Sequence, residues 1–430
     1  MEVKHRFKKS TIFGICLIFS IIACQKKIKE QVKVIDDENS QFAGKSCYGS
    51  SIQNEFLLKW SDGSHSLLKG TKDDLNNFIK KQQESNKKRL VIVEQNRKFD
   101  FKMALKLQPE QTQSEIIPLG SFWEVWGQED LQANELWDKN IKGAGVTIAV
   151  VDGGIDQTHP SLMNRIYINE NEIPNNGIDD DNNGFIDDYK GFDFSSKTSQ
   201  GEISDHGTHV AGIIAAEPKE SPMLGIAPQS KILPLSIFGG EFGGSLETAV
   251  AALEYAKNRG IKIVNASWGG AACAELLRDA IISLAEKDIL FINASGNNGV
   301  DIQFYPEYPA AFNLENQITV GANMQSGLMA AFSNYGYQQV HVLAPGHQIL
   351  STVPGGWDIG SGTSMAAPFV SGLAALLWSA HPESTSVQIK KAILQSVKDP
   401  QNYNPVLSMG RVNAVLALEK LELILKELPK

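Results

Sequence analysis

Four short stretches of the chain carry residue types that could do covalent chemistry. In Gly362-Thr363-Ser364-Met365-Ala366-Ala367-Pro368 a small hydroxyl residue precedes an alanine- and leucine-rich run that reads as a buried helix. Peptide N–H groups at a helix start lack helical partners and favour negative charge, so Ser364 could be a nucleophile whose own amide holds an oxyanion. A plain N-cap is the competing use of the same serine, and Pro368 fits both because proline is tolerated near a first turn. In Asp205-His206-Gly207-Thr208-His209 a histidine opens an apolar helix. Its neutral imidazole can take a proton near pH 7, which suits a general base. His206 and His209 could also share a metal, but the glutamate and third ligand of a zinc hydrolase are missing. His209 is therefore expected as a hydrogen-bonded core residue.

The other two stretches follow strand-like runs. Val146-Thr147-Ile148-Ala149-Val150-Val151 is β-branched and apolar, the pattern of a strand buried on both faces of a parallel sheet, and it ends at Asp152. Functional groups collect at the carboxyl ends of such strands, although an aspartate there is also an ordinary turn residue. Asn297 lies in Ser295-Gly296-Asn297-Asn298-Gly299, after the apolar run 289–292. Its carboxamide could donate to a developing oxyanion, or the residue could simply adopt a left-handed turn.

The ordered set Asp152, His206, Asn297, Ser364, each in its motif, resembles the subtilisin-like serine peptidases. The stretches Leu224-Gly225-Ile226-Ala227-Pro228, Asn265-Ala266-Ser267-Trp268-Gly269-Gly270, Tyr308-Pro309-Ala310 and Ala344-Pro345-Gly346 are similar to the same family. The resemblance implies an Asp152–His206–Ser364 triad, with Asn297 and the Ser364 amide as the oxyanion hole. It implies that Ser267, Trp268 and Gly269 pair with the substrate backbone while Ala294, Ser295 and Gly296 wall the primary side-chain pocket. Those pocket positions carry no acid or base, so a bulky apolar residue before the scissile bond is expected. The glycine-rich loop 238–244 could line a more distant subsite or be a surface hairpin. The implied activity is a serine endopeptidase acting on proteins or peptides, with no cofactor for catalysis. A non-catalytic surface binding protein on the same fold is the alternative.

The chain departs from the family pattern in three places. Gly153 supplies no hydroxyl beside Asp152, which leaves the hydrogen bonding of that aspartate open. An acidic insertion at 169–188 separates Asp152 from His206, and in it Asp179, Asp181, Asn183 and Asp187 alternate like the oxygen ligands of a calcium loop. A structural calcium ion is expected there, a solvated acidic turn being the other reading. Ala216-Glu217-Pro218-Lys219-Glu220 replaces the loop that helps form the family's strong calcium site, so that site is not expected.

The positioning elements read as an α/β fold: a doubly wound, mainly parallel sheet flanked by helices, over 121–430. Apolar strands are expected near 232–235, 261–264, 289–292 and 318–320, helices over 245–258, 272–286, 385–396 and 412–428. Before them, 46–115 reads as a small α+β pro-region with strands at 56–60 and 90–93, a helix over 72–88 and a polar linker at 109–115. Its position implies an inhibitory role. The leader 1–23 has four basic residues and an apolar run of signal-peptide length, ending Ile21-Ile22-Ala23-Cys24. This resembles a bacterial lipobox, implying lipidation of Cys24, a tether at 24–45 and an exported protein held at the cell envelope, at the outer membrane by the residue after the cysteine. Cleavage near 110–120 would leave the lipid on the pro-region and free the protease. The net charge of −9 argues against a nucleic-acid partner. Of the four cysteines, two lie in the leader, and Cys47 and Cys273 are expected as buried free thiols, a bridge between them being the other reading.

Overall fold

The computed structural model describes residues 33–35, 41–42, 45–46, 51–83, 89–99, 125–199, 201–218, 224–239, 243–271, 273–399 and 404–427. The leader, Cys24 and the linker at 109–115 lie outside them. Seven strands form one parallel sheet in the order β13-β12-β11-β10-β5-β7-β6. They are β5 Thr147–Asp152, β6 Phe192–Asp193, β7 Lys231–Ser236, β10 Ile263–Ala266, β11 Leu290–Ala294, β12 Gln317–Asn323 and β13 Val342–Pro345. The central strands are buried on both faces, as their unbroken apolar runs require.

Alternate residues of each strand feed two cores. Ile148, Val150, Ile232 and Ile292 face helices α4 (Asp205–Ala215), α7 (Thr363–Ala380), α8 (Ser386–Leu394) and α9 (Ala414–Lys426). Ala149, Val151, Leu233 and Phe291 face α5 (Leu246–Asn258) and α6 (Glu275–Ala285). Short helices α2 (Trp126–Leu131) and α3 (Ala133–Asp138) lead into the sheet. The strands and helices expected from periodicity are all present, with ends shifted by a few residues. Ser245, Thr385 and Asn413, read as lying inside the first turn of their helices, are N-caps whose side chains accept from Thr248, Gln388 and Leu416 N–H groups. Helix α7 is long and apolar enough to cross a membrane, yet almost all of it is buried inside the protein.

The preceding region is α+β, as expected. It consists of β1 (Lys33–Ile35), β2 (Ser51–Trp60), β3 (His65–Lys69), α1 (Lys72–Gln83) and β4 (Leu90–Phe99). The hairpin partner β3 was not legible, because its five residues show no apolar alternation. Strand β4 joins β2 on one side, and at its far end it pairs antiparallel with β9 (Gly243–Ser245), through Phe99 with Gly244 and Lys98 with Ser245. Strand β9 and β8 (Phe238–Gly239) form the hairpin of the glycine-rich loop, so one sheet runs from the N-terminal region into the larger unit. Cys273 is disulfide-bonded, with a partner outside the described residues. This corrects the free-thiol expectation for that residue: separation along the chain says nothing about proximity in space.

Candidate active site

The site sits at the carboxyl ends of the parallel strands. Asp152 closes β5 and is fully buried. Its Oδ1 lies 2.7 Å from His206 Nδ1, in the first turn of α4, and also accepts from Gly153 N at 2.7 Å. His206 Nε2 and Asp152 Oδ2 are buried without a protein partner. Gly153 has a steric reason: a Cβ there would lie 2.6 Å from the Cβ and Oγ of Ser204. Ser204 is the N-cap of α4, so the space beside Gly153 is filled from the neighbouring helix start.

Ser364 is the second residue of α7. The N-cap is Gly362, which corrects the reading of Ser364 as a cap. Thr363 N–H donates to Asn297 Oδ1 at 2.8 Å, and Met365 N–H donates to Gly362 O at 3.0 Å. Between them, the Ser364 N–H belongs to the first turn, where no helical carbonyl is available. Pro368 lies inside the helix and not at its first turn. Lacking an N–H, it cannot donate to the carbonyl four residues back, which is that of Ser364. That carbonyl accepts instead from Ser267 Oγ at 2.9 Å, while Ser364 Oγ donates to Ser267 O at 3.0 Å. The proline thus frees an acceptor that ties the serine to the segment Ser267-Trp268-Gly269. Trp268 Nε1 in turn donates to Val151 O at 2.8 Å, beside Asp152.

Asn297 follows β11 and is locked through its carbonyl, which accepts from both Thr363 N and Thr363 Oγ1. Its Nδ2 therefore points away from that contact. Ala294, Ser295 and Gly296 are fixed by bonds from Ser295 N to Val320 O (3.0 Å) and from Asn334 N to Gly296 O (2.9 Å). His209 is fully buried; burial lowers its pKa to about 3, and Nε2 donates toward Ile349 O and Asp358 O. A neutral, hydrogen-bonded core histidine is the role expected of it.

In the acidic insertion the structure gathers Glu172, Asp179 and Asp181, whose oxygens lie within 4.8 Å of one another. Asp187 accepts from Asn176 N and Gly177 N, and Asn183 turns its amide to Asp188 at 2.9 Å. Glu172 was missed because it precedes the alternating motif. Its Oε1 accepts from Asp181 N, whereas Oε2 is buried without a partner. Burial first, and then the neighbouring Asp188 and Asp181, push its carboxyl up. Arg259 binds Asp181 and Asp188, and Tyr255 donates to Asp188 at 2.5 Å, anchoring the loop to α5.

The N-terminal region covers two helix starts of the larger unit. Glu94 of β4 accepts from Glu275 N (3.1 Å) and Leu276 N (2.8 Å), at the start of α6, where Ala274 has no side chain able to cap. Asn96 Oδ1 accepts from Glu247 N at 3.2 Å in the first turn of α5. Leu57 and Ile92 are buried in the same core as α5 and α6, and Lys59 pairs with Asp279 at 2.7 Å. Neither carboxylate nor amide could be assigned this use from sequence, since the partners lie far along the chain.

An Asp–His pair, a serine in the first turn of a buried helix and a loop carboxamide, all at the carboxyl edge of a parallel sheet, place the protein among the serine hydrolases. Residues 143–411 match the Subtilase family of peptidases, and the chain belongs to that family. It is 34% identical over 284 residues to the major intracellular serine protease of Bacillus subtilis, covering 65% of this chain and 82% of that one. It is 33% identical over 293 residues to subtilisin Savinase of Lederbergia lenta, covering 68% and 97%. With the M-protease of Shouchella clausii the identity is 33% over 329 residues, covering 73% and 78%. The protein is accordingly a subtilisin-like serine endopeptidase, and catalysis in this family needs no cofactor.

Proposed function

We propose that Ser364, His206 and Asp152 form the catalytic triad of this endopeptidase. The observation that carries the assignment is the buried 2.7 Å contact between Asp152 Oδ1 and His206 Nδ1, which leaves Nε2 as the free ring nitrogen. In this mechanism the Ser364 hydroxyl turns from Ser267 O to Nε2 and attacks the peptide carbonyl, passing its proton to His206. Asp152 holds the tautomer and favours the imidazolium. The Asn297 amide and the Ser364 N–H hold the oxyanion, and His206 returns the proton to the leaving amine. Water, deprotonated by the same imidazole, then releases the acyl group. Ser267-Trp268-Gly269 would pair with the substrate backbone. A fluorophosphonate probe is expected to label the processed protein on Ser364 and to leave a folded Ser364→Ala variant unlabelled. No label on folded wild type would instead favour a non-catalytic binding protein.

The domain reading proposed is a signal segment at 1–23, a tether at 24–45, a pro-region at 46–115 and a catalytic domain at 121–430. The pro-region would inhibit by lying along β9 and capping α5 and α6, as the contacts of β4 support. Lipidation at Cys24 would hold the precursor in the cell envelope, at the outer membrane, until processing. Incorporation of an alkyne fatty acid that survives Cys24→Ala would overturn this. A calcium ion is proposed to be held by Glu172, Asp179 and Asp181, supported by the orphaned, buried Glu172 oxygen. Calcium should raise the melting temperature of wild type over chelator-treated protein, and Glu172→Gln should remove that increment.

A further inference from the structure

Cys273 is buried, with 2% of its surface exposed, and disulfide-bonded, so its sulfur is joined to Cys16, Cys24 or Cys47. All three precede the polar linker at 109–115, and Cys273 follows it. Whichever is the partner, the bond closes a covalent ring that contains the linker. The surroundings of Cys273 narrow the choice. Two residues on, Glu275 pairs with Lys33 of β1, and its N–H, like that of Leu276, is bound by Glu94 of β4. Strand β1 runs parallel to β4 with Ile35 opposite Glu94, so the chain leaves β1 beside the start of α6. It rejoins β4 at Ser51, opposite Arg97, about 10 Å along the strand from Glu94. Residues 36–50 thus begin and end next to Cys273, and Cys47 lies in this stretch, within about 14 Å of chain from Ser51. Cys16 belongs to the proposed signal segment, and the proposed acylation of Cys24 uses its thiol. Cys47 itself lies outside the described residues.

We propose that Cys273 pairs with Cys47 and that this bond is a latch: it holds the N-terminal region on the catalytic domain after the linker is hydrolysed, so that release of the active protease also requires reduction. This rests on the pro-region reading of the preceding subsection. Forming the bond removes two electrons and two protons from the two thiols, which pass by thiol–disulfide exchange to a disulfide oxidant of the exported compartment. Opening it takes two electrons and two protons from a dithiol reductant, which leaves as a disulfide. Hydrolysis of the linker adds one water across one peptide bond and touches neither sulfur. The cut pro-region then remains an intramolecular ligand at an effective concentration on the order of millimolar, and dilution does not remove it. The lipid proposed for Cys24 lies on the same fragment as Cys47, so the latch also keeps the cut protease at the membrane. Linker cleavage alone would not free it.

The test uses the full-length chain. Peptide mapping without reductant should find Cys47 and Cys273 in one linked peptide. The linker is then cut, by the protein's own activity or, in Ser364→Ala, by a glutamate-specific protease acting at Glu110 or Glu115. On a denaturing gel the two fragments should run as one species and separate only with dithiothreitol. Cys273 is the one cysteine beyond Cys47, so the reductant opens no other bond in the catalytic domain. In dilute solution dithiothreitol should raise the peptidase activity of cut wild type at least about 10-fold. Cys47→Ser should part into fragments without reductant, be active from the start and ignore dithiothreitol, melting curves reporting that it folds. Free thiols at Cys47 and Cys273, a different partner for Cys273, or fragments that separate without reductant would overturn the latch and leave the pro-region reading standing. A linked pair whose reductive separation leaves activity unchanged would overturn the inhibitory reading, and the latch with it.

Discussion

Helices α6 and α7 begin with the same physical problem and resolve it in opposite ways. Each presents first-turn N–H groups that the helix itself cannot satisfy. At α6, Ala274 offers no cap, and Glu94 arrives from the N-terminal region to accept from Glu275 and Leu276. At α7, Asn297 takes the Thr363 N–H, and that of Ser364 is the first-turn donor proposed for the oxyanion. One helix start is closed by the N-terminal region, the other by a loop that leaves the amide proposed for the oxyanion. The same unsatisfied N–H groups thus serve at α6 as the contact for a neighbouring strand and at α7 as a candidate oxyanion site.

The largest effect should come from the open start. Asn297→Ala is expected to lower kcat by about 10²- to 10³-fold with little change in KM, the scale seen for the equivalent donor in subtilisin of the same family. Steady-state kinetics decide it; a loss confined to KM would assign Asn297 to substrate binding. Because Asn297 also holds Thr363, a modest loss of thermal stability should accompany it.

The closed start gives the next effect. Glu94→Ala removes the acceptor for two backbone donors and should weaken inhibition by a separately supplied pro-region by about 10- to 100-fold, corresponding to roughly 1–3 kcal/mol. An unchanged inhibition constant would show that the capping contact is incidental to docking. The same residue sets a pH dependence. Burial raises the Glu94 carboxyl to about 7 in the docked state, against the two N–H groups and Arg97, which lower it. With β4 docked on α6, Glu94 therefore holds a proton that a solvated glutamate has lost. This contribution to docking is full below the usual carboxylate range and is lost as pH rises through about 7. Inhibition constants measured from pH 5 to 8 should rise with pH in wild type and flatten in Glu94→Gln.

The smallest effect tests how the open start is braced. Ser267→Ala leaves the Ser364 carbonyl without the hydroxyl that replaces its missing helical donor, and should cost about 1 kcal/mol in urea unfolding. Adding Pro368→Ala returns an N–H to that carbonyl and should recover part of the loss. No recovery would mean that the proline does not direct this contact.

Most of the fold was legible because the central strands are unbroken apolar runs and the helices between them carry recognisable caps. Asp152, His206, Asn297 and Ser364 stood out as candidates for a related reason: each lies in a short local motif at or just after the end of a strand or at the start of a helix. What escaped was made across the chain. Glu172 sits outside the alternating acidic motif, Glu94 has no local signature for capping a helix 181 residues away, and Glu307 approaches Gly296 only once the loop is folded. Gly153 looked like a deficit at the aspartate, and only the position of Ser204 shows why a side chain is excluded there.

The pairing of β4 with β9 has a consequence for the processed protein. Strand β9 is three residues long and contains Gly243 and Gly244, and its partner belongs to the segment proposed to be removed. Departure of that partner would leave an open edge of bare backbone, able to add an extended chain of almost any sequence. Such an edge recruits strands without discriminating among them. Its shortness limits self-association, and discrimination then falls to the pockets that receive side chains.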